Sequence, residues 1–289
     1  MPQLTPRQHN IEQIKRLCSM YGLQPQRSRG QNFLIDPRSL EAMVAAAAIK
    51  PNETIVEIGP GFGMLTESLL ERAGRVICIE LDTVLAGYIQ ARYGQHVHMT
   101  LLQQNALDFE PSQHISGPYS VVANLPYSIS GHFFKTYLGF AQPPERIVVL
   151  LQKEVAQRIS AKPGEHSLLS IQAQLHAEVS FVTHVTRECF WPVPEVQSAI
   201  VALRGIKNID QVSKFLAPLT YKEFWRIARI GFSARRKQLP HNLAAGLRVE
   251  KKLIQDIFDE LRIPVISRAQ ELSIDQWVDL AKKLKIFFN

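Results

Sequence analysis

Four consecutive residues, Asn124-Leu125-Pro126-Tyr127, combine the types needed to methylate an exocyclic amine. The lone pair of such an amine, adenine N6 for example, is delocalised into the ring, so the nitrogen is a poor nucleophile. Two acceptors set against its two N–H bonds favour a pyramidal nitrogen and stabilise the positive charge that develops. The side-chain oxygen of Asn124 supplies one acceptor. The carbonyl of Leu125, held extended by Pro126, supplies the other. Tyr127 offers a face on which a base can stack. No general base is required, because the methylated ammonium is acidic and loses its proton afterwards. Positioning and charge stabilisation carry the rate. Asn and Pro are also common where a strand runs into a loop, so the tetrapeptide takes this meaning only from its neighbours.

Those neighbours are a glycine loop and an acid. Glu57-Ile58-Gly59-Pro60-Gly61-Phe62-Gly63 lies between a β-branched run and a helical pattern. Gly59 and Gly61 let the backbone turn tightly and approach a ligand without a Cβ in the way. The spacing is G-x-G-x-G, and Met64 stands where the third glycine of a dinucleotide fingerprint would fall. A ligand without phosphates is therefore favoured over a pyrophosphate seated on the helix. Glu80 closes the next strand, 21 residues after Gly59, where a carboxylate can accept from both hydroxyls of a ribose. The pair points to an adenosine-containing cofactor, S-adenosylmethionine (SAM) ahead of NAD. Asn105, after the third strand, could accept from the amine of the cofactor adenine, although Asn is equally a turn residue.

To bring these positions to one edge, the chain needs a parallel sheet. Short apolar strands are predicted at 54–59, 75–82, 97–102, 120–125 and 146–152, alternating with helices at 64–73, 83–93 and 129–140. Two more strands, 178–185 and 197–204, could pair as an antiparallel edge. The expected fold is thus α/β with a mostly parallel seven-stranded sheet. Ahead of it, Thr5 and Pro6 start a helix that Gly22 ends, a basic stretch covers 24–31, and Asp36-Pro37 starts a second helix. Beyond Arg204 the strand signal stops, and helices are expected at 211–218, 221–237, 251–262 and 274–285. These patterns divide the chain into an N-terminal helical arm at 1–27, a body at 28–204 and a small all-α domain at 209–289.

Charge follows the same division. The 289 residues carry a formal net charge of +7. Residues 204–289 hold 17 Lys+Arg against 9 Asp+Glu, a net of +8, so the remainder is close to neutral. A polyanionic partner for the basic part is the natural expectation. Read as one helix, 221–237 gathers Lys222, Arg226, Arg229, Arg236 and Lys237 within roughly a 100° arc, opposite Tyr221, Phe224, Ile227, Ala228 and Phe232. Such a stripe suits a phosphate backbone, with binding that weakens as salt rises. No run reaches the ~18–20 apolar residues of a membrane span, and Met1–Arg7 is not a secretion signal. Cys18, Cys78 and Cys189 are too scattered for a metal knuckle or a disulfide framework, which suits a reducing cytoplasm. They also lack an activating cluster for thiolate chemistry. His96 and His98 alternate along a predicted strand without a third ligand, so no metal site is expected. Trp191, Trp225 and Trp277 read as packing residues.

The ordered set of blocks resembles the ribosomal RNA adenine N6-dimethyltransferases of the kasugamycin-sensitivity type, which are class I, Rossmann-like SAM-dependent methyltransferases. Gly30-Gln31-Asn32-Phe33-Leu34-Ile35-Asp36 matches that family's cofactor lid, Val56–Gly61 its glycine loop and Ile79-Glu80-Leu81-Asp82 its ribose strand. Asn124–Ser130 matches the catalytic block, Leu151–Val155 the fifth-strand block, Phe190–Ser198 the F-x-P-x-P-x-V-x-S segment and Phe232–Lys237 the C-terminal F-x-x-R-R-K. The match runs from about residue 28 to 245.

The resemblance implies that Asn32 and Leu34 line the cofactor site with Gly59, Gly61, Glu80, Asn105 and Asn124. It makes Phe190 the second wall of a base pocket opposite Tyr127, and adds Arg235 to the RNA-facing cations. It implies two methyl transfers from SAM to each of two adjacent adenines, in a hairpin loop near the 3′ end of 16S rRNA in the immature small subunit. A monomer with no membrane attachment is expected. The erythromycin-resistance type, acting on large-subunit rRNA, is the nearest alternative; the R-R-K block and Leu125 argue against it. A non-catalytic ribosome-assembly or transcription factor on this fold is opposed by the intact Asn124–Tyr127. An NAD oxidoreductase is the weakest reading.

Three departures from the family pattern stand out. Asn105 replaces the usual Asp, Ser167-Leu168-Leu169-Ser170 lacks the arginine of Y-G-R-L-S, and Pro240-His241 replaces an Arg-Asn type pair. The last two bear on RNA contacts. Asn105 keeps an acceptor but loses the charge that makes an acceptor stronger. Asn105→Asp should therefore tighten SAM binding in calorimetry, and an equal or weaker affinity would refute this.

Overall fold

The computed structural model describes residues 5–25 and 31–287. The expected boundary between arm and body at 27–28, and Gly30 of the lid segment, lie outside the described residues. In chain order the elements are α1 (Pro6–Met20), β1 (Phe33–Leu34), α2 (Pro37–Ala47), β2 (Thr54–Ile58), α3 (Met64–Leu70), β3 (Arg75–Glu80), α4 (Thr83–Tyr93), β4 (Met99–Gln103), β5 (Tyr119–Asn124), α5 (Ser130–Tyr137), β6 (Arg146–Gln152), α6 (Lys153–Ile159) and α7 (Leu168–His176). There follow β7 (Glu178–Val185), β8 (Phe190–Trp191), β9 (Ser198–Arg204), α8 (Ile209–Leu216), α9 (Tyr221–Gly231), α10 (Leu239–Leu247), α11 (Lys251–Glu260) and α12 (Ile274–Leu284).

The chain forms two compact units. One comprises Met1–Ala156 with Val179–Ile206, the other Gln157–Glu178 with Lys207–Asn289. Residues 157–178, read from sequence as part of the body, thus cluster with the helical unit. Ile171 and Leu175 of α7 share that unit's core with Phe224, Leu243, Phe258 and Trp277.

In the first unit the sheet order is β4-β3-β2-β5-β6-β9-β7. β4, β3, β2, β5 and β6 run parallel, and β9 lies antiparallel to β6 from Arg146↔Arg204 to Gln152↔Ser198. The β-branched cores of β2, β3, β5 and β6 are buried, as strands covered on both faces require. Chain direction across the sheet reverses between β2 and β5. The carboxyl ends of those two strands therefore open onto the crevice where α/β sheets bind ligands, and they carry the glycine loop and Asn124. A separate two-stranded sheet pairs β1 with β8, Phe33↔Trp191 and Leu34↔Phe190. Neither of these two-residue strands is long enough to show a period in sequence. α1 is joined to the body: Ile14 and Cys18 lie in its core, and Asn10 Nδ2 donates to the Ile35 carbonyl at 2.9 Å.

Two expectations are corrected. β4 begins at Met99, and His96 and His98 sit in the preceding turn instead of sharing a strand face. The His96 N–H donates to Tyr93 and the Met99 N–H to His96 as local turn bonds, and the His98 carbonyl accepts from the Val76 N–H of β3 at 2.8 Å. In the second unit, α9 stops at Gly231 and does not continue to residue 237. The buried Asn242 Nδ2 donates to the carbonyls of Gly231 at 2.7 Å and Ala234 at 3.1 Å, and so satisfies acceptors left over at the helix end. Pro240 sits in the first turn of α10, an element missing from the sequence expectation.

Candidate functional site

One cavity of about 690 Å3 opens at the crevice between β2 and β5. It brings together Asn32, Leu34, Gly59, Gly61, Glu80, Asn105, Asn124 and Pro126. Its described lining holds the acids Glu57, Glu80 and Asp82 but no Lys, Arg or His. Such a wall fits a cationic or neutral ligand far better than a pyrophosphate, which agrees with the missing third glycine.

The glycine loop turns on left-handed backbone at Gly59 (φ +65°), Gly61 (+58°) and Gly63 (+76°). A Cβ at Gly61 would come within 3.1 Å of the Phe33 ring, and one at Gly63 within 2.5 Å of Tyr93. The Gly61 N–H points to Glu80 Oε2 at 3.3 Å, and the Asp82 N–H to Oε1 at 2.9 Å. Each carboxylate oxygen of Glu80 is thereby oriented and keeps a lone pair for a ribose hydroxyl. Burial pushes the Glu80 carboxyl up, and the backbone donors from Asp82 and Gly61 oppose that rise. Asp82 also caps α4 through Val84 and Leu85, and accepts from Gln31 Nε2 of the lid segment at 3.2 Å.

Asn105 shows why its role was ambiguous in sequence. Its Oδ1 accepts from the Leu107 N–H at 3.0 Å, as a turn residue does, while the residue also lines the cavity. One lone pair of that oxygen remains for an adenine amine.

At the end of β5, Asn124 Nδ2 donates to the Asn32 carbonyl at 3.1 Å. That bond fixes which way the amide faces and leaves Oδ1 to accept. The Leu125 N–H is held by the Leu150 carbonyl at 3.0 Å. Local turn bonds begin one residue later: the Ile129 N–H takes the Pro126 carbonyl, and Ser130 Oγ donates to that of Tyr127. Tyr127 lies half-buried in this turn, with its phenol raised by burial and therefore neutral. Phe190 is fully buried in the core, where β8 pairs with the lid strand β1, and neither Phe190 nor Tyr127 lines the cavity.

Glu57 is an acid of the cavity to which the sequence reading gives no role. It is buried one residue before the end of β2, and Thr66 Oγ1 donates to its Oε2 at 2.6 Å. Burial raises its carboxyl to about 7. Burial and the same carboxylate push the neighbouring Cys78 thiol up as well, so it is no nucleophile. The described residues contain no group of three metal-ligating side chains, and no helix is long and apolar enough to cross a membrane.

The basic residues fall in two places within the helical unit. Lys222, Arg226 and Arg229 are exposed along α9, whose other face buries Phe224, Ile227 and Ala228. Arg235, Arg236 and Lys237 are exposed in the loop between α9 and α10 that Asn242 ties down. The single continuous stripe is thus a helix face followed by a loop.

A family model described as ribosomal RNA adenine dimethylase matches residues 22–285. A ribosomal RNA small subunit methyltransferase A from Dehalococcoides mccartyi is 36% identical over 272 residues, covering 93% of this chain and 92% of that protein. Among solved structures, a dimethyladenosine transferase from Plasmodium falciparum matches with a TM-score of 0.74 and 26% identity, over 88% of this chain and 97% of that one. A 23S rRNA methyltransferase, ErmE, shares the fold with a TM-score of 0.72 and 24% identity, over 88% of this chain and 100% of that one.

The Glu57 carboxyl has an ordinary value of 4.5, which folding raises to about 7. Its contribution to stability is full below 4.5 and is lost as pH rises through 7, by about 3 kcal/mol. Glu57→Gln should remove that loss. In urea unfolding the stability of the wild type relative to the variant should fall between pH 4.5 and 8, and a constant difference would refute the assignment.

Proposed function

The chain belongs to the ribosomal RNA adenine dimethylase family, and on that premise we propose that it uses SAM to dimethylate N6 of two adjacent adenosines in the 3′-terminal hairpin loop of 16S rRNA. It acts on the immature small subunit, in the cytoplasm and as a monomer. The observation that carries this reading is Asn124. Its Nδ2 is taken by the Asn32 carbonyl, which leaves Oδ1 as the free acceptor of a residue that lines an acid-walled cavity.

The residues present fit SAM. Glu80 would hold the ribose hydroxyls, Asn105 the adenine amine, and Leu34, Phe62, Ile79 and Leu81 the apolar faces, while the glycine loop leaves room for close approach. When bound, SAM supplies an electrophilic methyl group on a positively charged sulfur. The protein's part is to prepare the acceptor. Asn124 Oδ1 and the Leu125 carbonyl take the two N–H bonds of the target amine and stabilise the charge that grows on nitrogen. Pro126 holds the second carbonyl extended, and Tyr127 gives the base a surface to lie on. The product ammonium loses its proton to water, so no side chain need act as a base.

Small-subunit rRNA is favoured over the large subunit by the R-R-K loop and by the 36% identity with the small-subunit relative. The likeness to ErmE is one of fold. Lys222, Arg226, Arg229, Arg235, Arg236 and Lys237 supply phosphate contacts, which fix the RNA without reading its sequence.

Two measurements test the reading. Tritium from labelled SAM should pass to immature small subunits and not to large ones, and Asn124→Ala should lower transfer about a hundredfold or more. Label confined to large subunits would overturn the substrate, and RNA binding without label would favour an assembly factor. RNA affinity should fall steeply with salt, and reversing the charge of Arg229 or Arg236 should weaken it and flatten the slope by roughly one unit or more per site. Affinity indifferent to salt would count against the basic surface.

A further inference from the structure

Tyr127 is not held by its own loop alone. Its Oη lies 2.7 Å from Oγ of Ser198, a residue 71 positions further along the chain. Ser198 is fully buried as the first residue of β9, where it pairs with Gln152 at the end of β6. Its backbone position is therefore set by the rigid sheet and not by the Tyr127 turn. Pro126 and Ser128, on either side of Tyr127, line the cavity, whereas Ser198 does not. A tyrosine ring has two rotatable bonds, and the turn fixes only its near end. Anchoring the phenol at the far end removes rotation of the whole ring and sets the plane that its face presents. That ordering is completed before a substrate arrives, so binding does not bear its entropy cost.

We propose that Ser198 is a positioning residue for methyl transfer, fixing the plane of the Tyr127 ring on which the target base lies. The inference rests on the reading of this site as an adenine N6-methyltransferase. It concerns a group that touches neither the cofactor cavity nor the reacting atoms and acts through Tyr127. A loose ring would still stack on a base, but over a range of angles. The amine would then meet the Asn124 and Leu125 acceptors in only part of that range. The effect should fall on turnover, because overall RNA affinity is carried by phosphate contacts and SAM sits in a cavity that Ser198 does not line.

The test compares Ser198→Ala, Ser198→Thr, Tyr127→Phe and the double variant Ser198→Ala/Tyr127→Phe, using tritium transfer to immature small subunits, SAM calorimetry and thermal melting. Loss of one hydrogen bond predicts a three- to tenfold fall in kcat for Ser198→Ala and for Tyr127→Phe. KM for RNA and SAM affinity should stay within about twofold. Ser198→Thr, which keeps the hydroxyl, should recover most of the rate, and the double variant should be no slower than either single one. Since Ser198 is buried, melting shows whether Ser198→Ala is folded, and Tyr127→Phe removes the same bond from the other side if it is not. Wild-type kcat in both single variants, multiplicative losses in the double variant, or a parallel loss of SAM affinity would overturn the proposal. A wild-type enzyme that labels neither subunit would instead overturn the functional reading beneath it. Wild-type labelling with unaffected variants would overturn this inference alone.

Discussion

The hydrogen bond from Asn124 Nδ2 to the Asn32 carbonyl is the contact on which the rest of the site depends. An amide side chain presents a donor at one end and an acceptor at the other, and only the acceptor can help an amine become a nucleophile. Whatever claims the NH2 group decides which end faces the substrate. Here the claimant is backbone of the lid segment, next to β1, and β1 is itself paired with β8. An amide on β5 is thus oriented by backbone next to a two-stranded sheet separate from the seven-stranded one. The order of events in folding matters less than the dependence: if β1 and β8 did not pair, the Asn32 carbonyl would have no fixed place, and Asn124 could turn its donor outward.

The acids of the cavity obey a related logic. Glu57 lies one residue before the end of β2 and Glu80 ends the adjacent parallel β3; both are buried, and burial raises both. Their repulsion is moderated by giving each its own donors, a hydroxyl for Glu57 and two backbone N–H groups for Glu80. Glu80 gains orientation without losing all its acceptor capacity. Glu57 has the Thr66 hydroxyl and the Cys78 thiol as donors, and burial raises its carboxyl to about 7. A cavity with acidic walls and no described basic residue favours a sulfonium and disfavours phosphates. The same conclusion follows from Met64 in place of a third glycine, so sequence spacing and electrostatics agree for independent reasons.

Legibility in the sequence followed the range of the interaction. The parallel strands carry their signal locally, as runs of β-branched residues, and β6 and β7 fall where that pattern places them. Gly59, Gly61, Glu80 and Asn124 were readable because the sheet's topology takes strand ends to one edge. The turn at His96–His98 reads as strand because an alternating polar-apolar string looks the same in a turn that leads into a strand, and the His98 carbonyl already accepts from Val76 of β3. The end of α9 was hidden for a stronger reason. Its acceptors are satisfied by Asn242, 11 residues beyond Gly231, and helical periodicity does not register a side chain arriving from another element. Ser198 was visible as a residue of a matched block, yet its bond to Tyr127 spans 71 residues and leaves no local trace. Resemblance implies a role facing substrate for Phe190, whose side chain lies buried in the core of the body.

The separation of charge along the chain has a physical reason within this reading. A sulfonium cofactor and an anionic RNA place opposite demands on one protein. Cations near the cavity would help to hold phosphate but would repel the sulfonium, and in a site of low dielectric that repulsion is poorly screened. The +8 excess falls in residues 204–289, whereas the described lining of the cavity holds no Lys, Arg or His. The grip on RNA can then be long-range and salt-dependent, while the methyl donor is held by short, buried contacts that salt barely reaches. The α9 face and the loop after it need only present cations at the surface. Their break into two segments is therefore compatible with that role, whereas a comparable displacement of Asn124 would remove the proposed chemistry.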